Sequence, residues 1–354
     1  MQFGSDSRVG ALALAALAAV ALYVASRTAA GLLARGGGRA RPGLRAAGHW
    51  LPIAVTAVVA VQLRKPEIAV ALAFSTSVAA LSFVLGVLTY IAPMEAPPAS
   101  RRAWPFVLPA ALLALVAGFS GQFTWVHALA MLVFGGAVYS AWREATARGE
   151  AEAVVDAVAA AEGGDVPAVA RRPAWVLFAE LLLAVALAVV GGWAAVTLAS
   201  RAAATVPLVS TRLVTVAVLT PLLCTPMLTS VAPERAAAHT ASMASTLVAL
   251  ALLNLCGLLP LLTVLWHLQG GATSAASVAD AGLSHYVLSM TANAPPMPFP
   301  LATWRIDAVV LTVLGLAMVP VALGRWELGR WEAVGLVTGY ALYLAISAAA
   351  ATVA

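Results

Sequence analysis

Charge is what this sequence has least of. Asp, Glu, Lys and Arg together make 10% of its 354 residues, against 62% apolar residues. A soluble domain carries about a quarter charged residues, so this composition excludes a chain whose surface faces water throughout. Cysteine is nearly absent: Cys224 and Cys256 both fall inside apolar runs, where a free thiol behaves as a small hydrophobe rather than a bridge or ligand, and they assign no redox compartment. The histidines His49, His127, His239, His267 and His285 have no metal-ligand spacing with one another or with either cysteine. No catalytic motif of the serine, cysteine or zinc type is present, so neither an enzyme nor a cofactor is expected. The formal charge of +5 comes from basic residues scattered between apolar runs, which argues against nucleic acid as a partner. The apolar stretch after Arg8 runs on to about Leu33 with no small-residue cleavage pattern behind it, and reads as a first span rather than a signal.

What is present is a series of long apolar runs. Crossing the hydrocarbon core takes about 20 residues of helix. Cutting the sequence where charge, Pro or Gly interrupts such runs gives ten spans: 9–33, 48–63, 67–92, 104–119, 124–142, 174–200, 207–231, 241–267, 304–323 and 331–352. The expected fold class is all-α integral membrane, with the lipid bilayer as the first partner. The second span is short and carries Pro52 near its start, which predicts a broken or tilted helix.

Arginine placement gives an independent reading of topology. With the amino terminus outside, the inward segments hold Arg35, Arg39, Arg41 and Arg45, then Arg101 and Arg102, then Arg143, Arg148, Arg171 and Arg172, then Arg235, then Arg325 and Arg330. The outward ones hold Arg8, Arg64, Lys65, Arg201 and Arg305, with Arg212 ambiguous. Both termini are therefore placed on the non-cytoplasmic side of the cell (plasma or inner) membrane. The segment 143–173, acidic and alanine-rich, reads as a cytoplasmic linker with a short solvated helix ending at Gly163-Gly164. The segment 268–303 reads as an outer loop; its stretch Ser284 to Met290 is open between a surface-lying piece and a disordered one.

Five spans precede the linker and five follow it, so 1–142 and 174–354 are expected to be repeats inserted with opposite topology. Landmarks recur in order. Leu51-Pro52 leads to Gly86, and Thr225-Pro226 leads to Gly257. An aromatic-rich hairpin closes each half, Gly121 to Tyr139 in the first and Gly329 to Tyr343 in the second. With these residues the chain resembles the sodium/calcium exchanger (cation/calcium exchanger) superfamily. Leu51-Pro52-Ile53, through Arg64-Lys65-Pro66-Glu67-Ile68-Ala69-Val70, to Leu85-Gly86 is similar to the family's first signature repeat. Gly324-Arg325-Trp326, Arg330-Trp331-Glu332, Tyr340 and Tyr343 are similar to its last hairpin. The resemblance implies ten helices in two inverted five-helix repeats, and alternating-access antiport of an ion or small solute.

The resemblance also implies where ions would bind, and there the residues depart from the family. Its ion site uses Gly-Thr-Ser-Leu-Pro-Glu in each repeat. Here the first reads Gly48-His49-Trp50-Leu51-Pro52-Ile53 and the second Leu222-Leu223-Cys224-Thr225-Pro226-Met227, so Ile53 and Met227 stand at the carboxylate positions. The third helix has Ser75-Thr76-Ser77 followed by Ala80, and the matching place in the eighth, Thr246-Leu247-Val248 followed by Ala251, keeps no amide. Calcium takes about six to eight oxygen ligands, normally including carboxylates, so the family's usual calcium exchange is not expected.

The candidates left are Ser75, Thr76, Ser77, Thr225, Thr229 and Ser230, with carbonyls near Pro52 and Pro226 released from helical bonding. The competing reading is that these hydroxyls only bond backbone carbonyls or tighten helix packing. His49 is read either as a proton-exchanging group or as an interfacial residue beside Trp50. Glu180 reads as the carboxylate interrupting an apolar span, either a functional acid or one that snorkels to the inner surface. The function expected is a secondary transporter with a carboxylate-free site, carrying a monovalent or divalent cation or a small solute. The alternative is a non-transporting scaffold that keeps the fold. Reporter fusions at the carboxyl terminus and near residue 155 are expected on opposite sides of the membrane; the same side for both contradicts this topology.

Overall fold

The structure is a computed structural model. It describes residues 8–36, 42–93, 104–119, 121–147, 174–205, 210–229, 236–274, 296–300 and 303–353. The expectations for the 148–173 part of the linker, for 284–290 and for Ser230 lie outside the described residues.

Among the described residues the helical segments group into ten. They are α1 (Arg8–Gly36), α2 (Pro42–Gln62), α3 (Pro66–Ile91), α4 (Trp104–Gly118), α5 (Trp125–Ala147), α6 (Ala174–Thr205), α7 (Thr211–Leu228), α8 (236–274), α9 (303–322) and α10 (Arg330–Val353). Seven helices are long and apolar enough to cross a membrane, and the shorter runs Trp104–Gly118 and Trp125–Ala141 are apolar too. Of the expected short span, broken or tilted, the second helix corrects the length and the break. It begins at Pro42 and stays helical through Pro52, whose carbonyl accepts a 2.7 Å hydrogen bond from the Thr56 hydroxyl. Intrahelical hydroxyl bonding of this kind satisfies backbone where lipid offers no water.

The helices are sorted by exposure. In α3, 94% of the most apolar window is buried, against 22% in α10, so α3 is the axial helix and α10 a lipid-facing one. The large exposed side chains Leu12, Val20, Val133, Tyr139, Phe178, Leu183, Val313 and Leu342 lie on outer helices, the distribution that lipid as solvent requires.

Packing between the two sets of five helices repeats when each helix is exchanged for the one five places away. The α1–α6 and α4–α9 contacts map onto themselves. The α2–α6 contact has its image in α7–α1, α2–α8 in α7–α3, and α3–α10 in α8–α5. A two-fold relation between halves follows from this pairing. Because each half has an odd number of crossings, the second enters from the opposite face, which puts the axis in the membrane plane. The fold is thus all-α, with two inverted five-helix repeats.

Regular helix is interrupted in α3, α7, α8 and α9. Among the described residues, π-helical turns occur at Ala80–Val84 in α3, Thr215–Leu219 in α7, Asn254–Leu258 in α8 and Thr303–Ala308 in α9. Such turns shift the face that a helix presents and often mark functional positions. A two-stranded pairing closes one face: β1 (Gln122–Phe123) lies antiparallel to β2 (Met297–Pro298), after a turn at Gly121 with φ +68°. That backbone region favours glycine.

Close approach of α1 to α2 depends on Gly48, where an added Cβ would lie 2.5 Å from the Ala30 Cα and 2.8 Å from its backbone nitrogen. Gly48→Ala is therefore expected to cost about 1–3 kcal/mol by overpacking. Gly31→Ala, with nothing within 4 Å, is expected to be neutral or stabilising by up to about 1 kcal/mol. Thermal unfolding in detergent reads both, and equal effects contradict the packing.

Candidate functional site

Two polar assemblies lie inside the helix bundle, one neutral and one charged. The neutral one is built on α3, where Ser75, Thr76 and Ser77 are consecutive and fully buried. Successive residues turn by about 100° around a helix, so Ser75 reaches one neighbouring helix while Thr76 and Ser77 reach another. Ser75 Oγ lies 2.6 Å from Thr220 Oγ1 of α7, and the Thr220 hydroxyl donates in turn to the Thr215 carbonyl at 3.0 Å. Thr220 thus has no proton left for Ser75, and Ser75 is the donor between them.

Asn254 of α8 completes the neutral assembly. Its Nδ2 donates to Thr76 Oγ1 at 2.9 Å and to Ser77 Oγ at 3.2 Å. Those two hydroxyls donate to the Leu72 and Ala73 carbonyls, so they present lone pairs to α8 and fix the amide with its nitrogen toward them. The Asn254 Oδ1 is left buried with no hydrogen-bond partner, one open acceptor in a cluster of hydroxyls. This corrects the sequence-based register of the eighth helix. An amide is present in that helix at Asn254, on the π-helical turn, three residues beyond Ala251.

The charged assembly joins α7, α9 and α10. Arg212 Nη2 donates to Asp307 Oδ1 and lies 3.4 Å from Ser347 Oγ, and Tyr343 donates its hydroxyl to the same Asp307 oxygen at 2.9 Å. The Asp307 side chain is completely buried and that of Arg212 is 11% exposed. Arg212 stands in the first turn of α7, after the cap that Ser210 makes to Leu213, where the helix dipole disfavours a cation. Asp307 stands near the start of α9, where the dipole favours an anion. The pair compensates in both places. Asp307 Oδ2 and Arg212 Nε are buried without partners.

The candidates read from sequence distribute as follows. Ser75, Thr76 and Ser77 form the neutral assembly. Pro52 is buried on α2, and Ile53 and Met227 are fully buried in the apolar core. His49 is buried against α1, its Nδ1 3.3 Å from Ser26 Oγ. Thr225 is exposed and donates to the Pro221 carbonyl, while Thr229, also exposed, donates to the Pro226 carbonyl and lies 3.3 Å from the Tyr23 hydroxyl. The α7 hydroxyl that meets α3 is Thr220, five residues before Thr225. Pro226 is buried beside this end of α7. Glu180 is half-buried on α6, and the fully buried carboxylate among the described residues is Asp307 instead. Asp307 sits in the opening turns of the ninth apolar run beside Arg305, where it reads as an interfacial charge. The signal that marks it is an arginine at the head of the seventh run, on the same face, with no acid of its own. Among the described residues no three His, Cys, Asp or Glu side chains are grouped to hold a metal ion.

The face on which α9 begins is sealed by aromatics. Phe299, just after β2, packs edge-on to Phe74 at 5.5 Å and stacks on Phe123 at 6.0 Å. Trp304 donates to the Leu115 carbonyl at 2.7 Å and ties α9 to α4. Coupling across the neutral assembly is expected to be modest: a double-mutant cycle of Asn254→Ala with Thr76→Val should give about 0.6 kcal/mol and no more than about 2. Thr225→Val should fall within about 0.5 kcal/mol of the unaltered chain. Unfolding midpoints decide, and a larger Thr225 effect contradicts this assignment.

No protein-family model and no curated protein matches the sequence. Solved structures do match. The sodium-calcium exchanger NCX_Mj, soaked with sodium and strontium, aligns over 95% of this chain and 97% of its own with a TM-score of 0.59 at 15% identity. The same exchanger without sodium and calcium gives 0.56 at 16% identity over 95% and 98%. The H+/Ca2+ exchanger CAX aligns over 97% of this chain and 86% of its own with a TM-score of 0.65 at 14% identity. This multi-pass membrane chain has the cation/calcium exchanger fold.

Proposed function

We propose that the protein is a secondary cation antiporter of this fold, with a carboxylate-free central site, that does not carry out ordinary calcium exchange. The observation that supports this is the neutral assembly. Ser75, Thr220, Thr76, Ser77 and Asn254 bring α3, α7 and α8 together through oxygen and amide groups alone, with Ile53 and Met227 as core hydrophobes. An unpaired charge at this depth costs at least about 3 kcal/mol, and a divalent ion among hydroxyls keeps both of its charges uncompensated. A monovalent ion or a polar solute carries a smaller penalty. The inverted halves support this reading, since alternating access in such folds moves one repeat against the other. In this reading the chain lies in the cell membrane with both termini on the non-cytoplasmic side, and it is not an enzyme.

One observation favours the scaffold reading: every residue of the neutral assembly is closed off, and Ile53 and Met227 fill their positions completely. Flux separates the two. In proteoliposomes under imposed sodium or proton gradients, tested with sodium, potassium, rubidium and calcium, saturable gradient-driven monovalent flux is expected. No flux of any cation supports the scaffold, and sodium-driven calcium flux contradicts the carboxylate-free mechanism.

A further inference from the structure

The Arg212–Asp307 assembly is built in a way that packing alone does not require. A buried ion pair seldom adds stability over apolar residues of the same volume, because both charges lose their water. Here the acid is completely buried, one of its oxygens takes both Arg212 and Tyr343, and the other is left bare. The cation is bound through one terminal nitrogen and not as a two-pronged fork, so its Nε–H also goes unused. A fork would satisfy both oxygens at once. The observed pairing is a carboxylate with one coordination position filled and one open, facing a guanidinium held by a single terminal group.

Location points the same way. Arg212 and Thr220 lie on one helix, on either side of the π-helical turn Thr215–Leu219, with Arg212 toward the end of α7 where chain enters from 206–210. The α9 segment that carries Asp307 packs on α3, the helix of Ser75, Thr76 and Ser77. The charged pair therefore stands between one face of the membrane and the hydroxyl cluster. Its charges cancel, so a replacement that conserves charge must be monovalent. A divalent ion on Asp307 alone would leave a net charge in a low-dielectric region.

We propose that Asp307 is the carboxylate of a monovalent-cation site and that Arg212 is its tethered occupant, displaced when a free cation binds. Tyr343 keeps the carboxylate in place during the exchange, and the departing guanidinium, already partly exposed in the first turn of α7, turns outward from that end of the helix, so one positive charge leaves the site as the other enters. The neutral cluster then needs no acid of its own, because the charged step is taken at α7, α9 and α10. This deepens the antiport reading and rests on it for its role in transport, while the site itself is testable by binding.

The experiment uses the full chain in detergent, with unfolding midpoints followed as sodium, potassium or sub-denaturing guanidinium chloride replaces choline chloride at constant ionic strength. The unaltered chain is expected to show a weak saturable stabilisation. Arg212→Gln should reach half-effect at about tenfold lower cation, since the competitor is gone. Arg212→Lys should restore the weak response, and Asp307→Asn should abolish it with or without Arg212→Gln. If the glutamine variant does not fold, Asp307→Asn against the unaltered chain decides alone. A cation response that survives Asp307→Asn overturns the proposal, as does an identical cation response in the unaltered and Arg212→Gln chains. Flux measured in parallel keeps the two readings apart. Asp307-dependent binding without flux contradicts only antiport, and flux without such binding contradicts only this site.

Discussion

Every charge placed inside a bilayer needs a partner, and the internal organisation of this protein follows from that constraint. The axial helix α3 is surrounded by protein and carries only hydroxyls as polar groups in its middle, each bonded to a carbonyl or to a neighbour. The buried charge among the described residues is confined to Asp307 and Arg212, which answer each other. A neutral core allows the helices to be apolar on nearly all sides, and polar contacts between halves then fix their register. Bonds of this kind in membranes are individually weak. Their value is positional: Asn254 can meet both Thr76 and Ser77 only if α8 is turned by its π-helical segment.

Most of the fold was legible because lipid imposes length. Ten runs of apolar residues became ten helices with ends close to those expected, and the odd number in each half implied inversion before any packing was known. The second helix was misjudged for a local reason. Pro52 looked like an interruption, but α2 runs unbroken from Pro42 to Gln62 with Pro52 inside it.

The site was legible only in part. Ser75, Thr76 and Ser77 stood out as consecutive hydroxyls in an apolar run, and they form the centre of the neutral assembly. The α7 contribution was assigned to Thr225 and Thr229 by analogy with a proline motif, whereas the π-helical turn rotates Thr220 toward α3 instead. Asn254 was missed because register was counted along a regular helix. Arg212 and Asp307 were missed because each stands in the first two turns of an apolar helix, where charge is ordinary; only three-dimensional packing shows that they meet 95 residues apart in sequence.

The claim at the centre of the proposed function is that a neutral hydroxyl and amide assembly beside the apolar Ile53 and Met227 offers no carboxylate to hold a divalent ion. Calorimetric titration of calcium into the unaltered chain tests it most directly. The account expects no saturable binding below about millimolar calcium, because a divalent ion among hydroxyls lacks several kcal/mol of charge compensation. Saturable sub-millimolar calcium binding that survives in Asp307→Asn would contradict it.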